Sequence, residues 1–135
     1  MIVICIFAGR VIYISHIHGS RVIFDVDIGK TEKINNSDKY VYSAEWKQPA
    51  GYSSFKIWSS NISDEQITVK ITSLWGYKKE YKLMPGNSGV IDINNNAHNV
   101  TYKISFISGS EIINGKFSVR AAAYDFDRTD LSDNT

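Results

Sequence analysis

Two histidines separated by one residue are the candidate metal ligands of this sequence. His16 and His18 would share one face of a β-strand, because successive side chains of a strand point to opposite faces. Two imidazoles can hold Zn²⁺, Cu²⁺ or Fe²⁺ with a third ligand, such as His98 or a carboxylate. The pair directly precedes Gly19-Ser20, where polar residues are expected at a turn. We therefore expect surface histidines and no metal or other cofactor.

Aromatic side chains form the second group that could do chemistry. The chain has 3 Trp, 8 Tyr and 6 Phe. Trp58 alternates with the apolar residues Phe55 and Ile57 and so falls on the opposite strand face, whereas Trp75 and Tyr77 lie at a turn. Exposed aromatic rings stack on sugars or insert at membrane interfaces. Trp58, Trp75 and Tyr77 are therefore candidate ligand-binding residues, and the alternative is that they fill the core.

Catalytic motifs are missing from the sequence. The nucleophile elbow, the phosphate-binding glycine loop and the dinucleotide-binding glycine pattern are all absent. Asp25 and Asp27 share a strand face, as paired carboxylates of glycosidases or Ca²⁺ sites can, but nothing in the sequence places them in a cleft, and we expect solvated carboxylates. Cys5 lies in an apolar run without a nearby His or Arg, which predicts an unreactive thiol. We predict a protein that is not an enzyme, with a small hydrolase as the remaining enzymatic alternative.

Length and composition indicate one globular domain. The chain has 135 residues, of which 43% are hydrophobic and 21% charged. A net charge of +1 argues against nucleic acid as a partner, and a single Cys excludes an internal disulfide. The charge is uneven, since residues 68–124 carry seven basic and three acidic groups whereas the tail from Asp125 is acidic. This dipole could orient neighbouring subunits, or it could be a solvated tail beside a mildly basic face.

The elements that position these residues are strands. Apolar and polar residues alternate with a period of two in residues 66–74 and 99–107, and turn-forming residues separate such segments at short intervals. The pattern predicts an all-β fold, a single antiparallel β-sandwich of the jelly-roll or immunoglobulin-like type with nine or ten short strands. The predicted strands are 2–7, 11–17, 21–28, 39–47, 54–59, 66–74, 78–83, 89–93, 99–107 and 115–124. The predicted domain spans residues 1–127, followed by a polar acidic tail over residues 128–135.

The N-terminal segment, residues 2–14, is apolar on both faces. No basic residue precedes the apolar run, and Gly9-Arg10 interrupts it, so we expect a strand rather than a signal peptide. A strand with two apolar faces must be covered on both sides, either as a central strand of its own sandwich or by another chain. The candidate assembly residues are Ile2, Val3, Ile4, Ile6 and Phe7.

Two functional hypotheses follow from these features. The first is a non-enzymatic structural or interaction subunit that forms a homo-oligomer or fibre by adding its N-terminal strand to a neighbouring sheet. The second is a β-sandwich module that binds a carbohydrate or a membrane surface through Trp58, Trp75 and Tyr77. The sequence leaves the compartment open, and an extracellular or cell-surface location is our expectation.

Overall fold

The computed structural model describes residues 20–97 and 99–126, which form nine β-strands. The predicted all-β class is confirmed. The strands are β1 (Ser20–Asp27), β2 (Glu32–Lys33), β3 (Tyr40–Lys47), β4 (Ser54–Asn61), β5 (Ile67–Ser73), β6 (Lys78–Leu83), β7 (Ser88–Asn94), β8 (Thr101–Ser108) and β9 (Gly115–Ala122).

Two antiparallel sheets pack face to face. Sheet A has the order β1-β9-β4-β7, and sheet B has the order β2-β3-β8-β5-β6. Apart from the short β2, sheet B places β3, β8, β5 and β6 opposite the four strands of sheet A. Most consecutive strands therefore lie in opposite sheets, which is the connectivity of a jelly roll rather than that of an immunoglobulin domain.

The alternation of apolar and polar residues explains why these segments are strands. In β5, Ile67, Val69 and Ile71 are fully buried, while Lys70 between them is exposed. The eight strands predicted from residue 21 onward correspond to β1 and to β3 through β9. The sequence did not predict β2, because two residues are too short to show a period. The predicted strands 2–7 and 11–17 lie outside the described residues, and the domain boundary at residue 127 stays a prediction.

The core between the sheets is rich in aromatic rings. Trp46 of β3 lies 5.4 Å from both Phe55 of β4 and Tyr102 of β8, measured between ring centroids. Phe106 and Phe117 pack at 5.0 Å across the two sheets. Contacts at these spacings add to the stabilisation that comes from burying the rings. The aromatic residues therefore join sheet A to sheet B.

Two buried amides hold the loops at the ends of the sandwich. Gln48 is fully buried; its amide nitrogen donates to the carbonyls of Tyr52 at 2.8 Å and Ser54 at 2.7 Å. At the other end, the Asn61 amide nitrogen donates to the carbonyls of Glu65 and Leu83, both at 2.8 Å. Both amides are buried with their donors satisfied, so they fix the loops without an unpaired polar group.

Candidate functional site

The loop between β5 and β6 joins neighbouring strands of one sheet, as the β2–β3 loop also does, whereas the other connections cross between the sheets. β5 and β6 are adjacent in sheet B and pair along their length from Ile67–Leu83 to Thr72–Lys78, so they form a hairpin. Loops that cross between the sheets cover the ends of the core, whereas a hairpin loop within one sheet does not have to. The residues of this loop are therefore free to project from the sandwich.

The tip of this hairpin, residues 74–76, presents two large apolar side chains to solvent. Leu74 is 87% exposed and Trp75 is 82% exposed, the highest values among the large hydrophobic residues that the structure describes. Isolated exposed apolar residues are common on protein surfaces, whereas adjacent Leu and Trp side chains with this exposure form one contiguous apolar patch. We call residues 74–76 the hairpin tip.

Local hydrogen bonds fix the backbone of the hairpin tip. The Ser73 hydroxyl oxygen accepts hydrogen bonds from the backbone N–H groups of Trp75 at 3.3 Å and Tyr77 at 3.1 Å. The Ser73 N–H in turn donates to the Tyr77 carbonyl at 3.0 Å. Gly76 has φ of +96°, a conformation that residues with a Cβ rarely adopt. Trp75 is thus presented on an ordered turn.

Tyr77 anchors the base of the turn in the core. Its ring centroid lies 6.0 Å from that of Phe55 and 5.6 Å from that of Tyr102. Its hydroxyl donates to Asp92 Oδ2, and the Tyr81 hydroxyl donates to Asp92 Oδ1 at 2.9 Å. Asp92 is 6% exposed and belongs to β7 of sheet A, so the two phenols link the edge strands of the opposing sheets.

Burial raises the pKa values of two tyrosines at this end of the core, Tyr77 and Tyr102. Burial raises the pKa of Tyr77 well above its usual value of 10.0, and the hydrogen bond to Asp92 and the negative charge of that carboxylate act in the same direction. Burial also raises the pKa of Tyr102. Tyrosines are neutral donors at physiological pH in any case, and the raised pKa keeps both hydroxyls protonated further into the alkaline range. Tyr77 is thus fixed by packing and by its hydrogen bond, and it holds the base of the turn that carries Trp75.

The structure places Trp58 apart from the other two candidate aromatics. Trp58 lies half-buried in β4 of sheet A, with the Lys116 ammonium 5.8 Å from its ring centroid. Phe55 and Ile57 on the other face of β4 are fully buried, as the alternation predicts. Trp75 and Tyr77 share one hairpin of sheet B, whereas Trp58 lies on the outer face of sheet A. A ligand-binding role for any of the three stays a prediction.

Lysines surround the hairpin tip, and strand register brings them together. In the row of sheet B next to the tip, Lys78 pairs with Thr72, Thr72 pairs with Lys103, and Lys103 pairs with Glu45. Directly paired residues point to the same face of a sheet, so these side chains share the outer face. Two further lysines, Lys47 at the end of β3 and Lys79 in β6, complete the group. We call Lys47, Lys78, Lys79 and Lys103, all exposed, the lysine collar.

Sequence reasoning recognised only part of this group. Lys78 and Lys79 follow Trp75 closely in the chain, and the excess of basic residues in 68–124 is a signal for a basic face. Lys47 and Lys103 are distant in sequence, and only the pairing of β3 with β8 and of β8 with β5 brings them near the hairpin.

A pocket lies at the end of the sandwich that carries the hairpin tip, but the described residues that line it present no exposed aromatic face on which a flat ligand could stack. Its volume is about 350 Å³, and it is lined by Pro49, Gly51, Tyr52, Ser53 and Asn99. Tyr52 is 7% exposed, so its ring face is not available for stacking. Of the described aromatic residues at this end, Trp75 is the most exposed, ahead of Tyr124 at 50%.

Several candidate residues lie outside the described part of the chain. These are the metal candidates His16 and His18 and the assembly residues Ile2, Val3, Ile4, Ile6 and Phe7. Within residues 20–97 and 99–126, no group of three or more His, Cys, Asp or Glu is close enough to hold a metal ion. The same residues contain no helix with the length and hydropathy needed to cross a membrane. Asp25 and Asp27 are both exposed on β1.

Comparisons with known proteins give a distant similarity to a solved structure. No protein-family model matches the chain, and no curated protein matches it. One similar solved structure is that of TmCBM61 in complex with β-1,4-galactotriose, with 15% sequence identity and a TM-score of 0.39. The match covers 72% of this chain and 64% of that chain, so this chain spans less than two thirds of the solved one. A likeness this distant does not transfer a ligand to this chain.

Proposed function

We propose that this protein is a non-catalytic β-sandwich module that binds a lipid membrane surface through its hairpin tip. The observation that carries the proposal is the pair Leu74 and Trp75, 87% and 82% exposed on a turn whose base is fixed in the core. Trp favours the interface between water and lipid because its ring is apolar while its N–H can remain hydrated.

Leu74 favours lipid over a glycan as the ligand. A sugar ring stacks on an aromatic face and needs polar groups beside it, whereas an aliphatic neighbour adds little to that contact. On one side of Trp75 is Leu74, and on the other is Gly76, which has no side chain. A membrane interface accepts both large side chains at once, so the composition of the tip fits lipid better.

The strength of such binding follows from the apolar area. Burying a Leu or Phe side chain completely is worth about 1.5–3 kcal/mol, and insertion at an interface buries only part of each side chain. Two side chains therefore support weak and reversible association, comparable to or weaker than that of a single acyl anchor, for which the association constant is about 10⁴ M⁻¹. The rigid turn helps because little loop entropy is lost on insertion.

The test is co-sedimentation with lipid vesicles of wild type and of the double variant Leu74→Ser, Trp75→Ala. We expect the variant to lose vesicle binding while its melting temperature stays within about 2 °C of wild type, since exposed substitutions usually change stability by no more than about 0.5 kcal/mol. A matched control is Ile62→Ser together with Ile112→Ala, which removes two exposed apolar side chains (73% and 69%) from the opposite end. The control should bind vesicles like wild type.

Brominated lipids give an independent readout of insertion. Trp46 is buried and Trp58 half-buried, so quenching by the acyl chains should come from Trp75 and disappear in Trp75→Phe. A different result would identify a glycan as the ligand instead of lipid. In that case wild type would be retained on an insoluble polysaccharide but would not bind vesicles, and Trp75→Ala would lose the retention. Equal vesicle binding by wild type and the tip variant would refute the proposal.

A further inference from the structure

The hairpin tip alone is a weak anchor, which raises the question of a second binding contribution. Stable attachment of a peripheral protein generally needs two signals, such as one apolar anchor together with a basic patch. Lysines near an anionic membrane surface each contribute about 1 kcal/mol, and this contribution disappears within about one Debye length, roughly 8 Å at physiological salt. Only cations close to the tip can therefore contribute.

The strand register places the lysine collar at the strand ends next to the tip. Lys78 is three residues from Trp75, so its backbone lies within about 10 Å of that of the tryptophan at about 3.3 Å per residue. Lys78 and Lys79 are successive on the edge strand β6 and point to opposite faces of the hairpin. Lys47 of β3 pairs with Thr101 of β8. The next residue of β8, Tyr102, pairs with Ser73, which directly precedes the tip, so Lys47 lies level with the tip across the sheet. The ammonium groups can then reach the plane in which the tip inserts.

The collar lysines form no ion pair with the described residues. Among the described residues, no carboxylate lies within 4.0 Å of the ammonium groups of the collar, although Glu45 is paired in register with Lys103. Two lysines farther from the tip do form ion pairs, since Glu80 is 3.9 Å from both Lys70 and Lys82. The positive potential is thus concentrated next to Leu74 and Trp75.

The opposite end of the sandwich has the reverse character. The β4–β5 loop, residues 62–66, and the β8–β9 loop, residues 109–114, together carry Asp64, Glu65 and Glu111 and no basic residue. An anionic surface would repel these loops and attract the collar. These two loops therefore favour an orientation with the hairpin tip toward such a surface, and Lys30, which lies beside Glu111, offsets part of this asymmetry.

We propose that the lysine collar makes the module selective for membranes with anionic headgroups, binding them with the hairpin tip inserted and the sandwich upright. This inference rests on the proposed function, since the tip supplies the insertion and the collar supplies the charge selectivity. A gain of about 5-fold in binding per collar lysine is an upper limit, because Glu45 offsets part of the positive charge.

The experiment compares binding to phosphatidylcholine vesicles with binding to vesicles of phosphatidylcholine and phosphatidylserine. Wild type should prefer the mixed vesicles, and added salt should reduce the preference. Lys78→Gln with Lys79→Gln should weaken binding to mixed vesicles about 5-fold per lysine and leave binding to phosphatidylcholine unchanged. The matched control, Lys30→Gln with Lys33→Gln, removes two exposed lysines near the opposite end and should retain the preference.

Each outcome separates the two proposals. Equal, Trp75-dependent binding to both vesicle types would overturn the collar inference and leave the membrane function standing. Absence of binding to either vesicle would refute both. Collar-dependent binding to soluble dextran sulfate, without binding to mixed vesicles, would identify a polyanionic glycan as the partner and overturn the lipid assignment. An unchanged preference in the Lys78→Gln, Lys79→Gln variant would also overturn the collar inference.

Discussion

Asp92 is a buried carboxylate whose partners are two phenols rather than a cation. Tyr77 and Tyr81 donate to its two oxygens, and no Lys or Arg lies within ion-pair distance among the described residues. Hydrogen bonds to a charged acceptor contribute about 1.5–3 kcal/mol each. A buried carboxylate that loses one donor would be left partly unsatisfied. This residue therefore decides how firmly the base of the hairpin is held.

The first residue-scale prediction concerns Tyr77→Phe, which removes one of these donors. At neutral pH we expect the free energy of unfolding to fall by about 1–3 kcal/mol. The folded-state pKa of Tyr77 lies above its unfolded value near 10, so its contribution is fully present below pH 10 and is lost as the pH rises further. The difference between wild type and Tyr77→Phe should therefore narrow above pH 10, as measured by urea unfolding across the alkaline range.

Tyr40→Phe provides the control for this prediction. Tyr40 also lies in sheet B, but its hydroxyl makes no hydrogen bond with the described residues. The variant should track wild type at neutral pH. A difference between wild type and Tyr77→Phe that stays constant from neutral to strongly alkaline pH would show that Tyr77 does not titrate with a raised pKa.

The hairpin is the element on which both proposals depend, and Ser73 is the residue that organises its turn. Its hydroxyl accepts hydrogen bonds from two backbone N–H groups, at 3.3 Å from Trp75 and 3.1 Å from Tyr77. Side-chain oxygens that bind backbone N–H groups in this way stabilise tight turns. The geometry of the turn therefore depends on hydrogen bonds within residues 73–77, whereas the anchoring of Tyr77 depends on residues of other strands.

Replacing this residue in Ser73→Ala should loosen the hairpin tip without unfolding the sandwich. Removing the hydroxyl leaves two N–H groups to water and costs about 0.5–1.5 kcal/mol of local order. We expect faster hydrogen exchange at Trp75 and Tyr77 and weaker vesicle binding, with little change in melting temperature. Thr72→Ala, on the outer face beside it, is the control and should leave exchange at the tip unchanged. Unchanged exchange at the tip in Ser73→Ala would show that the turn does not depend on this hydroxyl.

At the scale of the whole molecule, the described residues form a continuous core between the two sheets. All fifteen residues of the main buried cluster lie between Ile28 and Val119. Every interior position of the two sheets is occupied by a strand of the described chain, from β9 and β4 in sheet A to β3, β8 and β5 in sheet B. A central place for residues 2–14 within these sheets would require displacing one of those strands.

Deleting residues 1–9 should therefore leave the sandwich folded, with a cooperative thermal transition near that of wild type. If the N-terminal strand is donated between subunits, the full-length chain should form concentration-dependent oligomers in sedimentation and the truncated chain should be a monomer. Loss of cooperative unfolding on truncation would show that the segment belongs to the core. A full-length chain that stays monomeric at high concentration would refute self-assembly through this strand.

The sequence by itself determined the strands, because alternation is a local property that each segment carries whatever its partners. The predicted strand 78–83 coincides with β6, and 66–74 differs from β5 by one residue at each end. The buried face of β8, including Ile104 and Phe106, also follows directly from the period of two. A strand of two residues such as β2 carries no period and could be found only from its pairing with β3.

Tertiary structure decided which predicted aromatic residues are exposed and which charges meet. Trp75 and Tyr77 are two residues apart in the same turn, yet Tyr77 is packed beside Phe55 and Trp75 is in solvent. That difference depends on Asp92 and Tyr102, which come from other strands. The collar likewise combines lysines of β3, β6 and β8, and the order of strands in a sheet is set by long-range packing that no local pattern records.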